Sequence, residues 1–178
     1  MPARPVTQLR VLPAPSARAQ PKLDYKIEPF YVIARELPPL FRKHWRELAV
    51  HKDAVPLDPN WDLFMAQSVQ GVLQILTVRD DVKLVGYIFN IIGPHSHYRS
   101  TLHCLIDMFW LDPAYRHGWT GLRMFRENEK HLRKMGVQRL IVGEKLHWHS
   151  KRDRRVRVLF RRLGYKAMDV MYSKLLMD

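Results

Sequence analysis

The hydrophobic period of this chain changes sharply across one short turn. Leu105 to Leu111 (LIDMFWL) reads as a buried strand, and from Trp119 to Met135 the apolar positions Leu122, Phe125, Leu132 and Met135 fit one helical stripe. Between them lie Asp112-Pro113, Tyr115-Arg116, Gly118 and Gly121. A strand that runs straight into an amphipathic helix belongs to an α/β architecture, in which helices cover a sheet. The same arrangement is physically an anion site. The first N–H groups of a helix have no internal partner, and the helix dipole adds partial positive charge there. Gly118 and Gly121 let a ligand come close to the backbone, Arg116 adds a full charge, and a pyrophosphate fits. Taken alone, the R-x-G-x-x-G string equally suits a tight turn before a helix.

The rest of the chain alternates between strand and helix patterns. Tyr31-Val32-Ile33-Ala34 is expected as a first strand. Leu40, Phe41, His44, Trp45 and Leu48 recur at helical spacing, and Pro56, Pro59 and Asn60 mark a loop. A short helix is expected over 62–70. Residues 71–78 and 83–92 read as a hairpin around Asp80-Asp81, ended by Gly93-Pro94, and 102–111 as a third strong strand. After the helix, Gly136 is a left-handed stop, and 137–143 is a short buried strand. Ser150 with Asp153 looks like a capping box, opening a helix whose core face is Val156, Leu159, Phe160 and Leu163. Gly164 ends it, and 165–176 is expected to be a final strand. The expectation is one α/β (α+β) domain over 23–178, with a mixed, mostly antiparallel central sheet flanked by helices.

Residues 1–22 read as a separate, flexible basic tail. They hold prolines 2, 5, 13, 15 and 21, four basic residues and no acid, and lack the apolar run of a secretory signal. Charge is lopsided throughout: 30 Lys+Arg against 17 Asp+Glu give +13 in a chain of 178 residues. That favours polyanionic contacts without choosing among them. Lys151 to Arg162 (KRDRRVRVLFRR) concentrates it, with seven basic residues and one acid. Such a face suits solvent, nucleic acid or an acidic protein. A single cysteine, Cys104, excludes an internal disulfide framework and suits a reducing cytoplasm. No run approaches the roughly 18 apolar residues of a membrane span.

The order of these elements resembles the GCN5-related N-acetyltransferases over roughly residues 27–176. Leu111-Asp112-Pro113-Ala114-Tyr115-Arg116 matches the strand end and first basic position of that family's (Gln/Arg)-x-x-Gly-x-(Gly/Ala) motif, with Gly121 on its last small residue. Gly136-Val137-Gln138-Arg139-Leu140 matches the helix stop and next strand. Leu159 to Tyr165 resembles the L-Y-E-K-x-G-F block. The compact R-x-G-x-x-G form and Tyr172-Ser173-Lys174 look most like short acetyltransferase-like proteins of tailed bacteriophages.

The resemblance implies acetyl-CoA as cofactor, held in a V-shaped opening between strands 105–111 and 137–143. Its pyrophosphate would meet the backbone of Arg116, His117, Gly118, Trp119, Thr120 and Gly121, and its pantetheine arm the strand at Phe109, Trp110 and Leu111. The acceptor would be an amine, perhaps on a protein, attacking the thioester directly. Two residues depart from the pattern. Trp119 stands at the family's central glycine, and Phe160 at the tyrosine that often protonates the leaving thiolate. Catalysis would then need another acid or solvent; Tyr165 and Tyr172 are the nearby hydroxyls for that role, with plain packing as the alternative for either. Asp107 aligns with the family's glutamate that relays the amine proton, and burial there would raise its pKa toward a useful range. The structural alternative is a carboxylate paired with a basic residue. A second functional reading keeps the scaffold but not the catalysis, as a protein that binds nucleic acid or an acidic host protein through its basic surface. His103 shares strand parity with Asp107 and reads as structural or cleft-facing. Cys104 reads as core. His95-Ser96-His97 and His147-Trp148-His149 lack a third ligand and do not suggest a metal.

Overall fold

The computed structural model describes residues 22–144 and 151–176. The basic tail and the His147-Trp148-His149 segment lie outside the described residues, as does Ser150 of the expected capping box. The elements are β1 (Leu23–Ile27), α1 (Phe30–Ile33), α2 (Leu37–Leu48), α3 (Trp61–Val69), β2 (Leu73–Asp80), β3 (Lys83–His95), β4 (Tyr98–Leu111), a 3-10 turn (Pro113–Tyr115), α4 (Thr120–Lys134), β5 (Arg139–Val142) and α5 (Lys151–Arg162). They build one five-stranded sheet in the order β1-β2-β3-β4-β5. The first three pairings are antiparallel and β4–β5 is parallel. This is the mixed, mostly antiparallel sheet expected from the pattern.

Both faces of the sheet are covered. On one face α1, α2 and α3 close an aromatic core of Phe30, Phe41, Trp61, Phe64, Tyr87, Phe89 and Trp110. On the other, α4 and α5 pack Met124, Phe125 and Phe160 against Leu76, Val78, Ile88, Ile106 and Leu111. Burying such aromatic and branched side chains supplies most of the folding energy. A buried polar clamp fixes the position of α4. Asn90 Nδ2 donates to Asn128 Oδ1 at 2.8 Å and Asn128 Nδ2 returns a bond to Asn90 Oδ1 at 3.0 Å, with both residues fully buried. Paired amides of this kind are costly to break on one side only.

Two expectations fail. Tyr31 to Ala34 is not a strand, because Phe30 to Ile33 is helical. Phe30 and Ile33, three apart, both enter the aromatic core, while Tyr31 and Val32 are exposed. The first strand is Leu23-Asp24-Tyr25-Lys26-Ile27, an apolar–polar alternation that pairs Leu23 with Asp80 and Ile27 with Leu76. The second failure is at the C-terminal end, where 165–176 forms no strand. The Met168 sulfur lies 3.8 Å from the Arg139 guanidinium, but the segment's backbone joins no ladder among the described residues, and a strand needs a ladder partner for its N–H and C=O groups.

Candidate active site

β4 outruns β5. Their parallel pairing runs from His103↔Arg139 to Ile106↔Val142 and stops, while β4 continues to Leu111. Among the described residues no strand pairs with that edge of β4 beyond Ile106, which leaves a wedge beside 107–111. At its apex β4 carries a bulge. Asn90 of β3 pairs with Ile106 and Phe89 with Met108, so Asp107 is the extra residue. The bulge shifts the alternation by one. Ile106 and Phe109, three apart, therefore both join the α4 face, while Met108 and Trp110 join the aromatic face. The parity that grouped His103 with Asp107 does not survive it. Asp107 is exposed, not buried as expected.

The chain then turns. Asp112 Oδ1 accepts from the Ala114 N–H at 3.0 Å, and the Tyr115 hydroxyl donates to Asp80 Oδ2 at 2.7 Å. Gly118 lies in the left-handed region at φ 57°, which favours glycine. Trp119 is the N-cap of α4 and makes no side-chain capping bond to it. Its side chain is 63% exposed. Thr120 is buried and its hydroxyl donates to the His117 carbonyl at 3.2 Å, while His117 is exposed. At Gly121 an added Cβ would meet only the Leu159 side chain, at 3.7 Å. The packing of the protein therefore does not require a glycine there.

Arg116 departs from its expected role. Its Nε donates to the Leu111 carbonyl at 2.5 Å, and its two terminal nitrogens fork onto the Glu47 carboxylate of α2, Nη2 at 2.7 Å. The guanidinium lies over the Trp110 ring at 5.8 Å, and Trp110 Nε1 donates to the same Glu47 at 2.7 Å. Its charge is matched within the protein, so it positions the turn against β4 rather than offering an unmatched cation to a ligand. Sequence reasoning missed Glu47. The only signal was helical spacing, which puts Lys43 and Glu47 on one face of α2. Lys43 Nζ in turn reaches Asp112 Oδ2 at 3.4 Å.

Phe109, Trp110 and Leu111 line the wedge through their backbone, since their side chains are occupied in the two cores. The structure thus brings 107–111 and 116–121 together. Tyr165 lies apart from them, in the layer between α4 and α5. Its ring packs on Phe160 at 5.4 Å and on Phe125 at 6.5 Å between centroids. Its hydroxyl is buried, and burial, reinforced by Glu129, raises its pKa. Tyr172 is exposed. His103 is buried in a ring cluster with His95 and Tyr98 near the β3–β4 turn, where burial and the neighbouring His95 and Arg139 lower its pKa. Cys104 is fully buried, and burial pushes its thiol pKa up to about 12. Among the described residues no cluster of His, Cys, Asp and Glu could hold a metal ion. A cleft of about 380 Å³ lies elsewhere, on α5, lined by Arg154, Arg157, Val158 and Arg161.

No protein-family model matches this sequence, and no curated protein matches it significantly. Solved structures do match the fold. An aminoglycoside acetyltransferase from an uncultured soil metagenomic sample superposes with a TM-score of 0.67 at 12% identity, over 87% of this chain and 97% of its own. A ribosomal-protein-alanine N-acetyltransferase from Brucella melitensis biovar Abortus 2308 gives 0.62 at 12% identity, over 87% and 99%. A predicted acetyltransferase from Clostridium acetobutylicum, solved with acetyl-CoA, gives 0.62 at 12% identity, over 86% and 96%. The chain has the fold of the GCN5-related acetyltransferases.

Proposed function

We propose that this protein transfers an acetyl group from acetyl-CoA to an amine. The observation that carries the reading is the α4 N-terminus without a side-chain cap, beside a wedge where β4 outruns β5. The residues present fit the cofactor. The first N–H groups of α4 suit a pyrophosphate, Gly118 and Gly121 present no side chain to it, and the edge of Phe109 to Leu111, unpaired among the described residues, suits an amide-bearing arm. Solved structures of the same fold include one with acetyl-CoA and others named for aminoglycoside and ribosomal-protein acetylation, which supports an amine acceptor. Acetyl-CoA supplies an activated thioester.

The chain's own residues then have two proton tasks. The attacking amine must lose a proton, and Asp107, exposed on the bulge at the apex of the wedge, is placed to accept it directly or through water. The departing thiolate needs a proton, and Phe160 cannot give one. The Tyr165 ring packs beside Phe160 at 5.4 Å, but it lies apart from the wedge and burial disfavours its phenolate, which supports solvent as the donor. Asp107→Asn is expected to lower kcat by about 10²–10⁴-fold while calorimetric acetyl-CoA affinity stays unchanged. An unaltered kcat would remove Asp107 from the reaction.

A second reading rests on α5. Arg154 and Arg161 line one cleft at helical spacing, beside Arg157, whose Nε is paired with Glu144 at 3.2 Å, in a chain of net charge +13. That ladder suits a nucleic-acid backbone, either as an added property or in place of catalysis. Binding to a DNA or RNA oligonucleotide should then fall steeply with salt, and replacing Arg154 and Arg161 by Gln should flatten the slope by about one to two. A slope that does not change would exclude α5 as the contact.

A further inference from the structure

We infer that the tip of the β3–β4 hairpin is an acid-sensitive latch on β5, with His103 as the group that takes up the proton. Four rings gather at that tip. His95 lies 4.9 Å from His103 and 5.3 Å from His97 between centroids, and Tyr98 stacks on His103 at 5.8 Å. His103 is the most buried of them, at 8% exposure. Its hydrogen bonds fix its tautomer. The Thr101 hydroxyl donates its one proton to the Tyr98 carbonyl at 2.9 Å, so its oxygen accepts from His103 Nε2 at 2.9 Å. His103 therefore carries its proton on Nε2 and a lone pair on Nδ1, and that Nδ1 has no hydrogen-bond partner among the described residues. A buried acceptor left without a donor costs stability. A proton would fill it, but the surroundings oppose the charge that the proton brings.

Those surroundings are basic. His103 faces His95 from β3, Tyr98 from the turn and Arg139 from β5, and among the described residues no carboxylate acts on it. His97 adds a third imidazole behind His95, whose Nδ1 accepts from the His97 N–H at 3.1 Å. Burial first, then His95 and Arg139, lower the pKa of His103. A buried imidazolium beside a guanidinium is relieved by moving out to water. An unfolded imidazole titrates at about 6.5 and the folded one below that value. The opened tip therefore binds more protons once pH falls through about 6.5, and the closed tip is favoured above it. Position gives the opening its consequence. His103↔Arg139 is the first of the four register pairs that hold β5 to β4. Just outside it, the Gln138 N–H donates to the Leu102 carbonyl at 2.9 Å, and the Leu102 N–H donates to Gln138 Oε1 at 3.0 Å. A proton on His103 thus loosens the entry of β5, the strand whose length sets where the wedge begins.

The proposal is independent of the acetyl-transfer reading and is tested by amide hydrogen exchange on the intact protein. After correction for the intrinsic exchange rate, opening of residues 98–104 and 138–140 should rise about tenfold between pH 7 and 5, while β2 and residues 84–90 of β3 stay protected. Ordinary carboxylates titrate below this range, at about 4. His103→Gln keeps an N–H for the Thr101 oxygen and cannot titrate, so its opening should no longer depend on pH. Arg139→Gln removes one opposing charge and should shrink the rise. An intact protein whose tip opens equally at both pH values would overturn the proposal. So would a rise of full size in His103→Gln. If that variant loses the tip at every pH, Arg139→Gln decides, and an undiminished rise there overturns the proposal as well.

Discussion

Gly121→Ala is expected to make the protein more stable and a poorer binder of acetyl-CoA at the same time. Gly121 is a first-turn residue of α4 outside the left-handed region, and the methyl group would touch only Leu159 at an ordinary 3.7 Å. Alanine is favoured over glycine in a helix by about 0.5–1 kcal/mol, chiefly because the unfolded chain loses freedom. For a chain of this size that corresponds to roughly 1–4 °C in Tm. A ligand phosphate seated on the first N–H groups of the helix would meet the new methyl group directly. Affinity for acetyl-CoA should fall about tenfold or more, with a bulkier residue worse. Thermal unfolding and calorimetric titration of one variant give both numbers. Gained stability with unchanged affinity would mean that the cofactor does not approach α4 here. Gly118 gives no such test, since φ 57° makes any side chain there strained whatever binds.

Arg79→Met should cost about 3–5 kcal/mol, the largest stability loss expected of any single change discussed. Arg79 is nearly buried at the β2 end of the sheet. Its Nε meets Glu28 at 2.7 Å, its Nη2 meets Glu36 at 2.8 Å, and its Nη1 donates to the Val82 carbonyl at 2.6 Å. Methionine fills the volume but leaves the Glu28 carboxylate, also held by the Thr77 hydroxyl, without its counter-charge. Adding Glu28→Gln should recover part of the loss, and a denaturant double-mutant cycle measures the coupling. The pair also sets an acid limit. Burial alone would raise the pKa of Glu28, but the bonds from Arg79 and Thr77 outweigh it and leave the value below the ordinary range. A carboxylate depressed in the folded state stabilises at pH above its unfolded value, about 4.3, and loses that contribution as pH falls through the folded one. Unfolding free energy should therefore drop between about pH 5 and 3 in the parent and drop less in the double variant. Equal slopes in the two proteins would assign the acid sensitivity to other groups.

The features that sequence made legible were periodic or local. The β2–β3 hairpin around Asp80-Asp81, the α4 stripe ending at Gly136 and the turn from Asp112 to Gly121 each announce themselves within about fifteen residues, where alternation, helical spacing and left-handed glycines suffice. What stayed hidden depended on partners distant in the chain. Arg116 looked like a ligand-binding cation because its partner Glu47 lies 69 residues away on another element. Asp107 looked buried because apolar neighbours flank it, and the bulge that exposes it shows only in the register with β3. Tyr31-Val32-Ile33 has the composition of a strand but is helical because the aromatic core takes Phe30 and Ile33 together, a tertiary decision that overrides propensity. The 165–176 segment has a strand's composition but pairs with no strand among the described residues.

Holding Arg116 on Glu47 has a mechanical consequence. It ties α2 to the end of β4, on the sheet face opposite α4, through Trp110 as well. The turn that precedes α4 is thereby braced from both layers of the fold, and a cofactor would meet a preformed cradle rather than one it must order.

The lone cysteine offers a practical handle. Cys104 lies beneath α4 with its Sγ 3.6 Å from Asn90 Oδ1, and its raised pKa keeps it a thiol at neutral pH. In the intact fold it should ignore alkylating dyes, so a fluorophore or spin label can be placed on any engineered surface cysteine without first removing it. The same shielding turns its slow labelling into a clock, because the thiol becomes reactive only when α4 lifts from the sheet, and the rate reports how often that opening occurs.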